Sequence, residues 1–184
     1  PYTTLFRSLI LTGGLGFITW KDIRDHGLKF RYYSTQSKLI IVCELILVAV
    51  PFLLLFFFEY QDLPYKSRIL SSLFQAITPR TAGFNTTDYN NFSDAGIALT
   101  ILLMLVGGAP GSTAGGMKIT TVAILFIATL SVFRREKAPS VFKRRIPLET
   151  VESAIAVFIL DMSLAIGGAM IISRIESLPI RKTL

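Results

Sequence analysis

Apolar residues come in blocks along this chain, and the blocks differ in length. Leu39–Phe58 carries a single charge, Glu44. As a helix it would rise about 30 Å, the thickness of a bilayer's hydrocarbon core. Val151–Ile172 is a second block of spanning length, with Asp161 in its middle. Both predict transmembrane helices, the first kinked at Pro51. Leu9–Trp20 is too short to cross alone, ends on an interfacial type of residue and reads as the close of a helix. Its Gly13, Gly14 and Gly16 leave two readings open, close helix packing and plain flexibility. Ser67–Ile77 reads as a short helix capped by Ser67 and followed by Pro79, rising only about 16 Å. Ala95–Val106 and Ile119–Phe133 predict one crossing interrupted in the middle. Pro110 and five glycines (Gly107, Gly108, Gly111, Gly115, Gly116) break its hydrogen-bond ladder there.

The polar stretches orient these elements. Lys21, Arg24, Lys29, Arg31 and Lys38 crowd one loop; Arg134, Arg135, Lys137, Lys143, Arg144 and Arg145 crowd another. Between them, Glu59–Asp94 holds only Lys66, Arg68 and Arg80. The bias places 21–38 and 134–150 on the cytoplasmic side, with 59–68 and 85–94 outside. Arg174, Arg181 and Lys182 in the tail run against an outward exit of the last helix.

Composition narrows the class. Hydrophobic residues make up 52% of the 184 and charged residues 17%, less charge than a soluble domain carries. The net charge of +7 sits in the inter-helix loops, which argues against a nucleic-acid partner. Docking of anionic lipid or of a protein is a further reading of Arg134–Arg145. With one cysteine, Cys43, and one histidine, His26, neither an internal disulfide nor a multi-histidine metal site is possible within the chain. Gly111 and Gly116 have the separation of a phosphate-binding loop, but Met117 stands where its lysine would and no strand precedes. The acceptor-like triplets at Asn85 and Asn91 are read as chance, and the N-terminus shows no signal-peptide pattern. Catalytic carboxylate pairs and nucleophile–base sets are missing, so an enzyme is not expected.

Thr81–Ala82–Gly83–Phe84 follows the short helix. Selecting a dehydrated cation takes inward-turned backbone carbonyls, and the carbonyl end of a helix adds partial negative charge nearby. A surface turn punctuated by Pro and Gly is the equal alternative on spacing alone. Arg80 would repel a cation and is expected to pair away from a pore axis. Glu44 is costly in lipid; snorkelling, a structural ion pair and ion handling are its readings.

TPRTAGFN at Thr78–Asn85, followed by LLMLVGGAPGSTAGGMKITT at Leu102–Thr121, resembles the Trk/Ktr/HKT superfamily of potassium transporters. The likeness is greatest to the membrane subunit of bacterial Ktr-type systems and runs from about Leu11 to the end. It implies an all-α membrane protein built from repeats of outer helix, pore helix, filter loop and inner helix. Residues 1–20 would close a second repeat and 21–38 form a cytoplasmic loop. A complete third repeat would occupy 39–133: outer helix 39–58, pore helix 67–77, filter 81–84 and broken inner helix 95–133. A basic cytoplasmic loop would follow at 134–150, and the first helix of a fourth repeat at 151–184.

The resemblance makes Thr81, Ala82, Gly83 and Phe84 the filter residues, with Gly83 the filter glycine. It also makes Gly107, Gly108, Ala109, Pro110, Gly111, Ser112, Thr113, Ala114, Gly115, Gly116 and Lys118 an intramembrane gating loop; a fixed helix break is the other reading. Ser112 and Thr113 can hold one state of it by hydrogen bonds. The family's loop meets a basic residue of the fourth inner helix, for which no position is found here. Implied too are transported potassium with sodium as an optional coupled ion, and no cofactor in this chain. Implied partners are membrane lipid, a second full-length copy in a homodimer, and a cytoplasmic nucleotide-binding regulatory ring. The implied location is a bacterial cell membrane, crossed several times. A non-conducting membrane remnant or scaffold is the alternative function.

Overall fold

A computed structural model describes residues 2–27, 29–80, 92–136 and 138–176. It falls into two units, residues 1–120 and 121–184. In the first, α1 (Tyr2–Gly14) and α2 (Gly16–His26) are separated by Leu15 alone. The expected loop from Lys21 is therefore helical as far as His26, because Lys-Asp-Ile-Arg-Asp-His contains no helix breaker before Gly27.

The first long helix begins before its apolar block. α3 runs from Thr35 to Leu54 and continues as a π-helical turn over Leu55–Glu59. Its start is set by a polar cap. Ser34 Oγ accepts from the Ser37 amide at 3.2 Å, and the Ser34 amide and hydroxyl both donate to Asp22 Oδ2, at 2.9 and 2.7 Å. A side-chain cap of this kind satisfies amides that the first turn leaves unpaired. The wider π turn follows Pro51, whose missing amide already weakens the ladder there.

α4 (Tyr65–Ile77) begins directly after Pro64, two residues ahead of expectation, so Ser67 lies inside its first turn rather than capping it. Its N-terminal half is exposed, whereas residues 74–80 are buried throughout. α5 (Asp94–Leu105) is capped by Ser93, whose Oγ accepts from the Gly96 amide at 3.0 Å. α6 (Ile119–Phe133) leads into the second unit. Two apolar clusters lie along α3. Leu55, Tyr60, Ala76 and Phe92 pack at its C-terminal end. Ile40, Ala109 and Ile119 pack nearer its start, with Leu15, Cys43 and Leu47 around them.

In the second unit a small antiparallel hairpin pairs β1 (Ser140–Val141) with β2 (Arg144–Arg145). Phe142 and Lys143 turn it with positive φ, a conformation that Asn-Gly usually signals, so nothing in the basic loop announces a hairpin. α7 spans Leu148–Glu176, because its polar flanks carry good helix formers. Asp161 is half-buried within it. Among the described residues, two helical stretches are long and apolar enough to cross a membrane, Thr35–Glu59 and Leu148–Glu176, and only 22% and 6% of their apolar windows are buried. Phe57, Phe58, Leu160, Leu164 and Ile171 stand exposed, a surface that lipid or further protein has to cover.

The Asp22–Ser34 clamp generates a test. Hydrogen bonds from Ser37 and Ser34 hold the Asp22 carboxyl below its ordinary value of 3.8. A depressed pKa adds stability that is present above the unfolded value and lost as pH falls through the folded one. Ser34→Ala is expected to lower stability by about 1 kcal/mol. Asp22→Asn should destabilise at neutral pH and match the parent once pH drops below the depressed value, in thermal unfolding scans over pH.

Candidate functional site

The glycine loop Gly107–Lys118 is built from backbone more than from side chains. Val106 and Met117 form a bridge that brings its two ends together. The Gly107 amide donates to the Met117 carbonyl at 2.8 Å, and the Ile119 amide to the Gly108 carbonyl at 3.1 Å. These bonds replace the helical ladder that α5 and α6 leave off. At Gly107 a Cβ would sit 1.8 Å from the Gly115 carbonyl oxygen, so this closure excludes every side chain. Ala109-Pro110-Gly111-Ser112 makes a turn, closed by the Ser112 amide on the Ala109 carbonyl at 3.1 Å. Proline second and glycine third, here with φ of +70°, suit such a turn. Lys118 Nζ donates to the Ala114 carbonyl at 2.7 Å and pins the returning limb. Residues 107–109 are buried, while Gly111, Thr113, Gly115 and Gly116 are exposed.

A second break holds the first. The Ala109 amide donates to the Gly14 carbonyl at 2.9 Å, and the Phe17 amide to the Gly111 carbonyl at 3.3 Å. Gly16 has φ of +74°, and a Cβ on it would lie 2.6 Å from the Pro110 carbonyl oxygen. Thr113 approaches Gly13 on the other side, its Oγ1 lying 3.1 Å from where a Gly13 Cβ would be. Of the two readings open for Gly13, Gly14 and Gly16, close packing is the one observed, and the packed object is the glycine loop.

Arg80 ends the buried stretch after α4. Its Nη1 and Nη2 donate to Glu44 Oε1 and Oε2, each at 2.7 Å, and Nη2 also lies 3.4 Å from the Gly107 carbonyl oxygen. The side chains are 4% and 10% exposed, so this is a buried two-pronged ion pair. Glu44 therefore does not snorkel; the ion-pair reading holds. Two basic residues touch the loop from within the described residues, Arg80 after α4 and Lys118 at the loop's own end. The carbonyl end of α4 points its partial negative charge into the same region, just ahead of Thr81. Thr81, Ala82, Gly83 and Phe84 themselves lie outside the described residues.

Beyond that segment the chain is held again. The Ser93 amide and hydroxyl donate to Glu59 Oε1 and Oε2, both at 2.7 Å. At the start of α4, Arg68 Nε donates to the Phe56 carbonyl at 2.7 Å, and its guanidinium stacks 4.2 Å over the Phe56 ring. Sequence reasoning missed Glu59 and Ser93, because a carboxylate in a polar stretch looks like any solvated residue. A serine ahead of an apolar run is a local signal for a helix cap, and it carries no information about a tether to Glu59.

The family model for TrkH, a cation transport protein, matches residues 15–179. The potassium/sodium uptake protein NtpJ of Enterococcus hirae is 35% identical, over 94% of this chain and 39% of its own length. Ktr system potassium uptake protein B of Bacillus subtilis is 32% identical, over 93% of this chain and 40% of its own. Among solved structures, the potassium transporter TrkH from Vibrio parahaemolyticus superposes with a TM-score of 0.70 at 23% identity, covering 92% of this chain and 38% of that one. The chain thus spans about two fifths of the length of these relatives. The resemblance read from Thr78–Asn85 and Leu102–Thr121 is upheld, and the chain belongs to the TrkH family of cation transport proteins, which are transporters and not enzymes.

Proposed function

We propose that this chain forms part of the ion path of a potassium uptake protein in a bacterial cell membrane, which the protein crosses several times. Thr81, Ala82, Gly83 and Phe84 supply one repeat's share of the selectivity filter, and Gly107–Lys118 gates the path. α3 is the outer helix, α4 the pore helix, and α5 with α6 the broken inner helix of one repeat. Flow is passive or linked to sodium. The protein works as a homodimer of full-length subunits, regulated by a cytoplasmic nucleotide-binding ring docked near the basic loops. Any nucleotide binds that ring and not this chain.

The observation that carries this reading is the junction at Arg80. The buried carbonyl end of α4, the residue just ahead of Thr81 and the first residue of the glycine loop converge there. Cation selectivity needs carbonyl dipoles held near a small, movable obstruction. Family membership and the uptake functions named for NtpJ and the Ktr protein support the choice of potassium.

Three measurements follow, all on the full product of the gene that encodes this chain, purified into vesicles. Gly83→Ser is expected to abolish the preference for potassium over sodium; an unchanged preference removes the filter assignment. Deleting Ala109–Gly116 is expected to raise potassium flux, and unchanged flux would show that the loop does not obstruct the path. Gly16→Ala forces an L-residue into a left-handed conformation, costing roughly 1–2 kcal/mol, and drives a methyl into Pro110. It should lower thermal stability and raise flux by releasing the loop. Lower stability with unchanged flux would reduce the α1–α2 break to a structural support.

A further inference from the structure

Arg80 and Ser93 flank residues 81–91 in the chain, and both are held by carboxylates of one helical stretch, Glu44 within α3 and Glu59 at its end. Glu44 on α3 holds Arg80, and Glu59 at the end of its π turn holds Ser93. The geometries differ in what else they touch. Glu59 meets the cap of α5, near the exposed end of the stretch. Glu44 sits beneath the glycine loop, where Gly14 is close enough that its Cβ would lie 3.8 Å from Glu44 Oε1.

We propose that Glu44 is a positioning residue for ion selectivity: acting through Arg80, it fixes the approach to Thr81 relative to the glycine loop. The inference rests on the filter and gate assignments above. Four features carry it. The two-pronged pair restrains the guanidinium in its own plane, which a single contact does not. The same Nη2 reaches the Gly107 carbonyl, so one rigid group touches the outer helix and the loop at once. Burial of both side chains, 4% and 10% exposed, makes loss of either partner costly, because the remaining charge is stranded. Finally, Arg80 is covalently next to Thr81 while Glu59 secures the far end through Ser93.

The surroundings leave room for a small shift. A cavity of about 140 Å³ lies beside the pair, lined in part by Gly13, Gly14, Glu44, Arg80, Gly108 and Thr113. One water needs only about 10–15 Å³ of such space, so the cavity leaves room for small displacements of loop and guanidinium.

The test compares Glu44→Gln, Arg80→Lys, the double variant and Gly83→Ser in the full-length protein in vesicles. Rubidium uptake is measured against competing potassium and sodium and normalised to folded protein. Arg80→Lys keeps the charge but loses the fork, so it reports on geometry even where loss of charge impairs folding. The expected result is a loss of potassium-over-sodium discrimination of at least about fivefold, the lower end for coupled sites, in each single variant. The double variant should lose no more than the worse single one, because both remove the same joint. Unchanged discrimination in Glu44→Gln and Arg80→Lys, with Gly83→Ser still destroying it, overturns the proposal and leaves a purely structural ion pair. Should Gly83→Ser also be silent, the filter reading itself falls, and this inference with it.

Discussion

A guanidinium taken out of water needs a partner of opposite charge at hydrogen-bonding distance, and in this chain the first unit is arranged around meeting that need. Arg80 finds Glu44 thirty-six residues earlier, with both oxygens engaged. Breaking such a pair from one side strands a charge and costs about 3–5 kcal/mol, far more than the pair adds over an apolar replacement. Its value is therefore one of placement. With the pair formed, the end of α4 has a single position on α3, and the loop at Gly107 has a donor to rest on.

α3 does more than fill a membrane-spanning length. Its cap is tied back to α2 through Asp22, its middle carries Glu44, and its π turn presents Glu59 to Ser93 and the Phe56 carbonyl to Arg68. A π turn frees carbonyls that an α-helix would use internally, which is how Phe56 comes to serve as an acceptor. Each apolar cluster of the unit lies against one end of this helix. Polar contacts fix direction and register along α3; apolar packing supplies the surface that holds them.

The glycine loop is the complementary case. Its contacts with the α1–α2 break are amide-to-carbonyl bonds, and the approach leaves no space for a Cβ at Gly16; the loop's own closure on Gly115 leaves none at Gly107. Contacts of this kind are specific yet small in area. Lys118 and Ser112 add internal ties, on Ala114, that hold the loop together as a unit.

Much of this was legible without coordinates. The lengths of the apolar blocks gave the two long helices, because burying a helix's backbone bonds in lipid demands about twenty apolar residues. Pro110 and its neighbouring glycines located the interruption between α5 and α6, because they break a ladder wherever they sit. The Thr78–Asn85 and Leu102–Thr121 motifs carried the family. Helix starts were less legible: Thr35 and Tyr65 depend on Ser34 and Pro64, local residues that an apolar count passes over. The sequence also marked Glu44 as a charge costly in lipid and Arg80 as a cation expected to pair away from a pore axis, but did not match them with each other. Only the fold could decide that pairing, or that Glu59 would meet Ser93 and that Gly16 would lie under Pro110. Those partners are 36, 34 and 94 residues apart, and periodicity and local propensity report on neighbours within a few turns, while contacts across such separations exist only once the helices have packed.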